Sequence, residues 1–160
     1  MAARRKAAPA GSVGRGEFVV YPGGPTAIYD LLERLSAAAG DSPDHGVPGI
    51  SLDRKRLTVR WSGEPPASVQ RVLDSAEGFE LTVAHTEFRP GDLRAEAERL
   101  LREHPGLVTS ARERPEGDGL ELLVAPPAAE AAGGPDAALA QAGVRAAFPL
   151  FAEAGEAVGD

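Results

Sequence analysis

Apolar and polar positions along the chain follow two rhythms. Ile28, Leu31, Leu32, Leu35 and Ala39 recur at the spacing of one helix face, behind Pro25 and ahead of Gly40, which predicts an amphipathic helix. Val69, Val72, Leu73 and Ala76 repeat the pattern between Pro65-Pro66 and Gly78. The clearest helix opens at Pro90 and Asp92 and closes at His104-Pro105-Gly106, with Leu93, Ala97, Leu100, Leu101 and His104 along one face. Arg94–Glu98, Glu98–Arg102 and Arg99–Glu103 are i,i+4 pairs on its wet side. Leu100 and Leu101 are expected at the centre of its packing surface. The arms Ile50 to Asp53 and Leu57 to Trp61 around Arg54-Lys55, and Phe79 to His85, alternate with a period of two and predict strands. Glu17 to Tyr21 is a further short strand candidate, and Leu107 to Arg114 with Leu120 to Ala125 around residues 115–119 reads as a second hairpin. Pro126-Pro127 and an Ala/Gly stretch lead to a short helix from Asp136 to Gly143.

The order of these elements predicts an α+β fold. Its expected form is a mainly antiparallel sheet with helices packed on one face, in a ferredoxin-like arrangement. One domain is expected over residues 17–148, preceded by a disordered basic arm (1–16) and followed by a flexible acidic tail (149–160). Residues 50–77 and 107–143 both read hairpin, Pro-Pro, helix, an echo of organisation with little side-chain identity.

Composition limits the core. Of 160 residues, 29 are Ala, 19 Gly and 14 Pro, and only eight are aromatic, so the core is built from Leu, Val and Ile. The formal net charge of −7 is uneven: residues 1–16 carry +4 through Arg4, Arg5, Lys6 and Arg15, whereas residues 115–160 carry −7. An acidic body disfavours nucleic acid as a partner, apart from what the arm could touch. Met-Ala-Ala-Arg-Arg-Lys is followed by no apolar stretch, so neither an export signal nor a membrane span is read, and a cytoplasmic protein is expected.

Chemistry-bearing motifs are sparse. The absence of cysteine excludes disulfides, thiolate metal sites and thiol nucleophiles. His45, His85 and His104 have no ligand spacing, so no metal is expected; His104 reads as a helix C-terminal residue favoured by the dipole. Ser51, Ser62, Ser68, Ser75 and Ser110 lie outside any Gly-x-Ser-x-Gly elbow. Asp53 and Glu64 could pair as carboxylates, but read better as a turn residue and a helix cap. Gly14-Arg15-Gly16 and Gly23-Gly24 lack the context of a phosphate loop, so no nucleotide or other cofactor is expected. Trp61 is expected in the core. No catalytic residue is assigned.

The stretch from Ile50 to Gly143 carries a family resemblance. The hairpin Gly49-Ile50-Ser51-Leu52-Asp53 with Arg56-Leu57-Thr58-Val59, the Ala-Glu-rich central helix, and Val108-Thr109-Ser110 with Arg114-Pro115-Glu116-Gly117-Asp118-Gly119-Leu120 are its parts. They resemble the prosegment-type domains that precede secreted chymotrypsin-fold proteases of the alpha-lytic protease and streptogrisin group. The resemblance implies a non-enzymatic module that pairs a sheet edge with a protein partner and lays a C-terminal strand in its cleft. The chain departs from that pattern in having no export signal, no following protease domain and no processing junction after its last helix. Phe148-Pro149-Leu150-Phe151 is the expected binding strip: Pro149 removes a backbone donor and keeps Phe148 extended, leaving Phe148, Leu150 and Phe151 as apolar anchors. Two other classes remain open. One is a small enzyme whose site forms only in three dimensions; the other is a nucleic-acid-associated protein using the basic arm.

Overall fold

The computed structural model describes residues 24–158. The basic arm and the strand expected at Glu17 to Tyr21 lie outside them. The elements run α1 (Gly24–Ala39), β1 (Gly49–Ile50), β2 (Arg56–Trp61), α2 (Ala67–Asp74), β3 (Glu80–His85), α3 (Pro90–Glu103), β4 (Val108–Glu113), β5 (Leu120–Val124), α4 (Pro126–Ala132), α5 (Pro135–Gln141) and β6 (Leu150–Ala154). The fold is α+β.

The expected single, mainly antiparallel sheet is corrected: the strands form two three-stranded mixed sheets, ordered β1-β2-β3 and β4-β5-β6. In each sheet a hairpin supplies an antiparallel pair, and a helical crossover returns the third strand parallel to the hairpin's second strand. Crossover by α2 makes β3 parallel to β2, and crossover by α4 and α5 makes β6 parallel to β5. β2 and β5 then have both neighbours, so neither sheet has a central strand left to recruit the other. The echo in the sequence is thus wider than its hairpin and helix. Residues 24–85 and 90–154 each run helix, strand, strand, helical crossover, strand.

Alternation builds two cores. Leu57, Val59 and Trp61 of β2 pack with Ile28, Leu31 and Leu35 of α1 and with Val69 and Leu73 of α2. Leu120, Leu122 and Val124 of β5 pack with Leu93, Ala97 and Leu100 of α3 and with Ala129, Ala138 and Leu139 of the crossover helices. Trp61 takes the core position its alternation predicts, with 1% of its surface exposed. Leu100 is fully buried, but Leu101 is 37% exposed, which corrects its expected place at the packing centre. One step along a helix turns the side chain through about 100°, enough to carry Leu101 off the stripe set by Leu93, Ala97 and Leu100.

The C-terminal boundary is corrected as well. β6 lies beyond residue 148 and completes the second sheet, with Leu150 beside Leu120 and Ala152 beside Leu122. The Leu120 N–H donates to the Pro149 carbonyl at 2.9 Å and fixes the register.

The halves meet at a tight seam. Only Thr86 to Arg89 separate β3 from α3. The Gly91 N–H donates to the Pro43 carbonyl at 2.7 Å, and Arg89 pairs with Asp44 at 2.8 Å. Arg94 of α3 reaches the His45 carbonyl at 3.2 Å and Glu113 of β4 at 2.9 Å. Gly91 and Gly117 sit where a Cβ would meet Pro43 and Thr86, respectively, at under 3 Å.

Candidate functional site

The matched registers of the two sheets allow a position-by-position comparison. Leu57 pairs with Leu81 and Leu120 with Leu150, so the inward residues correspond. On the outward faces, the first sheet carries the pairs Thr58–Thr82 and Arg60–Ala84, and the second carries Glu121–Phe151 and Leu123–Glu153. An outward face of an open sheet is normally polar. The first sheet obeys; the second places a leucine and a phenylalanine there.

Natural edge strands are blunted by shortness, bulges, proline or charge. β1 is two residues long, and β4 has a register shift between Val108 and Ser110. The parallel edges are regular in both sheets: β3 over six residues with Glu80, and β6 over five with Glu153.

The three residues of the expected strip separate in the structure. The Phe148 ring packs against Phe88, with centroids 5.1 Å apart, and both adjoin the second core. Leu150 turns inward onto the same core. Phe151 alone faces outward, 42% exposed. The Arg114 guanidinium lies 3.9 Å over its ring and is held there by Asp118 at 2.7 Å. Cation and ring in this arrangement attract each other. Together with Arg112, Leu123 and Glu153, they line a depression of about 540 Å³.

The segment after β6 walls one side of this depression. The Gly155 N–H donates to the Val124 carbonyl at 2.9 Å, and the Thr109 hydroxyl donates to the Gly155 carbonyl at 2.8 Å. Gly155 rests against Leu123, and residues 156–158 continue along the depression.

Sequence reasoning missed Arg114 and Leu123. Leu123 looks like one more core residue in the run Leu-Glu-Leu-Leu-Val, and Arg114 like the end of a strand. The register of β6, which turns Leu123 and Phe151 to the same face, was the missing information. Of the carboxylate and serine candidates, Asp53, Ser51 and Ser75 have structural duties, while the expected cap at Glu64 is corrected: α2 is preceded by Pro66 at its N-cap, with no side-chain cap. Asp53 accepts the Ser51 hydroxyl at 2.5 Å and the Lys55 N–H at 3.0 Å. The Ser51 hydroxyl holds that carboxyl below the usual carboxylate range, helped by the Lys55 N–H. The Ser75 hydroxyl donates to the Val72 carbonyl at the end of α2.

No family model matches the chain, and no curated protein or solved structure matches it. Among the described residues no group of three or more His, Asp or Glu could hold a metal ion. No described helix is long and apolar enough to cross a membrane.

One titratable group sits in the seam. The His45 ring stacks on Trp61, with centroids 5.5 Å apart, and its Nε2 is buried with no partner among the described residues. Burial, and then the Arg94 charge, hold His45 below its ordinary value of 6.5. Glu113 on β4 and the Asp44–Arg89 pair are the other charged groups at the seam. The folded protein therefore takes up this proton less readily than the unfolded chain. Stability is full above about pH 6.5 and falls as pH drops below it toward the depressed folded value. Denaturant midpoints measured between neutral pH and about pH 5 should decline, and His45→Phe, which keeps a ring on Trp61 and titrates nothing, should flatten that decline. An unchanged slope in the variant would assign the pH dependence elsewhere.

Proposed function

We propose that the chain is a non-enzymatic protein-binding module that receives a partner segment along β6, with Phe151 as the apolar anchor. One observation carries this reading. At matched positions of two sheets with the same topology, only the second turns large apolar side chains outward, and it does so beside a regular edge strand. A partner strand added to β6 would form main-chain hydrogen bonds there, and its side chains would meet Phe151 and the flanking Arg114 and Glu153. The mode is that of the prosegment-type domains the sequence resembles, with the anchor narrowed from three residues to one. Phe148 and Leu150 serve to hold β6 in place, so removal of the strip would damage the second core.

The test places a photo-crosslinking residue at position 151 and, as an internal control, at the equivalent position 82 of the first sheet. Adducts with protein are expected from position 151 in cells and are expected to be absent from position 82. Adducts of equal yield at both positions, or none at 151, would overturn the reading. Inhibition of a chymotrypsin-fold protease by the wild-type chain, lost in Phe151→Asp, would identify the partner class.

A further inference from the structure

The main-chain groups of β6 face two ways. The Pro149 carbonyl accepts from the Leu120 N–H, and the Gly155 N–H donates to the Val124 carbonyl, so the odd-numbered positions of this stretch turn their main-chain groups toward β5. These groups alternate sides along a strand, so those of Leu150, Ala152 and Ala154 point away from the sheet. The segment that follows leaves them open. Beyond Ala154 it turns toward β4, where the Thr109 hydroxyl donates to the Gly155 carbonyl at 2.8 Å.

The outward face along this edge carries both signs of charge. Arg114 lies over the Phe151 ring, and the exposed Arg112 stands on the same face. Two residues on, the exposed Glu153 carboxylate pairs with no cation among the described residues. A positive position and a negative one thus flank Ala152, the central residue of β6.

An antiparallel copy of the same strand, related by a two-fold axis at Ala152, matches both features. Ala152 then faces its own counterpart and Leu150 faces Ala154 of the second copy, and each of these pairs exchanges both main-chain hydrogen bonds across the edge. Phe151 lies opposite Glu153 of the second copy, which brings that carboxylate beside Arg114, and the axis repeats the contact. The regular edge of the first sheet offers no such match. Its edge-facing residues are Leu81, Val83 and His85, and an axis at Val83 brings together the uncharged Thr82 and Ala84 on the outward face.

We infer that the segment received by β6 is β6 of a second copy of this chain, paired antiparallel about Ala152 so that the two second sheets become one continuous sheet. This rests on β6 being a strand acceptor and adds the identity of the strand. Five residues a side bury little area, so association is reversible and depends on concentration.

Sedimentation equilibrium of the purified full chain is the experiment. A monomer–dimer equilibrium is expected, and an aromatic photo-crosslinking residue at position 151 should join the purified chain to the peptide that carries Glu153 of a second copy. Glu153→Lys sets a cation beside Arg114 at both ends of the axis and should raise the dimer dissociation constant about tenfold. Its side chain is exposed, so the thermal midpoint of the monomer should stay at the wild-type value. Ala152→Pro removes an N–H that faces the free edge and no bond to β5, so it should abolish the dimer; if that variant fails to fold, Glu153→Lys decides. Glu80→Lys, on the other regular edge, should dimerise as the wild type does. A chain that stays monomeric to millimolar concentration, a dimer unmoved by Glu153→Lys, or cross-links from position 151 that miss the Glu153 peptide would overturn the inference. Adducts of position 151 with a different protein in cells, from a chain that is monomeric, would overturn self-pairing alone and leave β6 as a strand acceptor. No adduct of any kind from position 151 would remove both.

Discussion

Trp61→Ala is expected to lower stability by about 3–5 kcal/mol, the cost of emptying a buried aromatic site that its neighbours only partly refill. Trp61 is the largest fully buried side chain, closing the first core at the end of β2. It also supports the seam, since His45 stacks on it and bridges to it from the loop after α1. For a domain of about 5–15 kcal/mol total stability, this loss is severe. Urea unfolding followed by far-UV circular dichroism would measure it without relying on the deleted indole. Trp61→Phe should cost less, for a reason beyond size: the Trp61 Nε1 is buried without a partner among the described residues, and phenylalanine has no such donor to desolvate. A Trp61→Ala variant as stable as the wild type would mean that β2 does not close the first core.

The second large effect is expected at Gly91. It sits in the first turn of α3 with its backbone against Pro43, and an added Cβ would lie 2.8 Å from the Pro43 Cα. The obstruction is main chain, so no rotamer relieves it. Gly91→Ala must push the loop at residues 41–48 away from α3, which lengthens the Gly91–Pro43 hydrogen bond and loosens the Asp44–Arg89 and Arg94–His45 contacts beside it. Overpacking costs about 1–3 kcal/mol and a lost hydrogen bond about 1 kcal/mol, so a drop of about 2–4 kcal/mol is expected. Hydrogen exchange should localise the change: faster exchange of residues 41–48, with the α3 amides from Ala97 onward still protected. Wild-type protection of the loop would show that the seam tolerates the methyl group.

Much of the architecture was legible because short-range periodicity records which face of an element is buried. The stripe Ile28, Leu31, Leu35 marked α1, and the alternation Leu57, Val59, Trp61 marked β2, with burial to match. Sheet membership was not legible, because a strand's alternation says nothing about the direction of its neighbour. β3 reads the same whether β2 runs with it or against it. Alanine hid the rest. Pro126–Ala132 forms α4 from residues with almost no apolar contrast, and Leu-Phe-Ala-Glu-Ala of β6 alternates through a residue that is ambiguous between core and surface. The proposed strip divides for a related reason: aromatic side chains in a chain with few of them draw attention to residues 148–151, but only the register of β6 against β5 separates the outward Phe151 from Phe148 and Leu150.

The placement of β6 also governs the order in which the molecule can be made. Among the described residues the buried side chains of the first core lie between Ile28 and Leu73, its partly buried ones reach Val83, and its last strand ends at His85. The second sheet waits for Leu150–Ala154 to pair with Leu120–Val124. During synthesis the first half can therefore close while the second is still being translated, as domains emerging N-terminal first generally do. The second half cannot close until Leu150–Ala154 have been made. In that interval the β5 edge that will receive β6 stands open, and the finished first half, joined by only four residues, is the nearest folded surface to shield it.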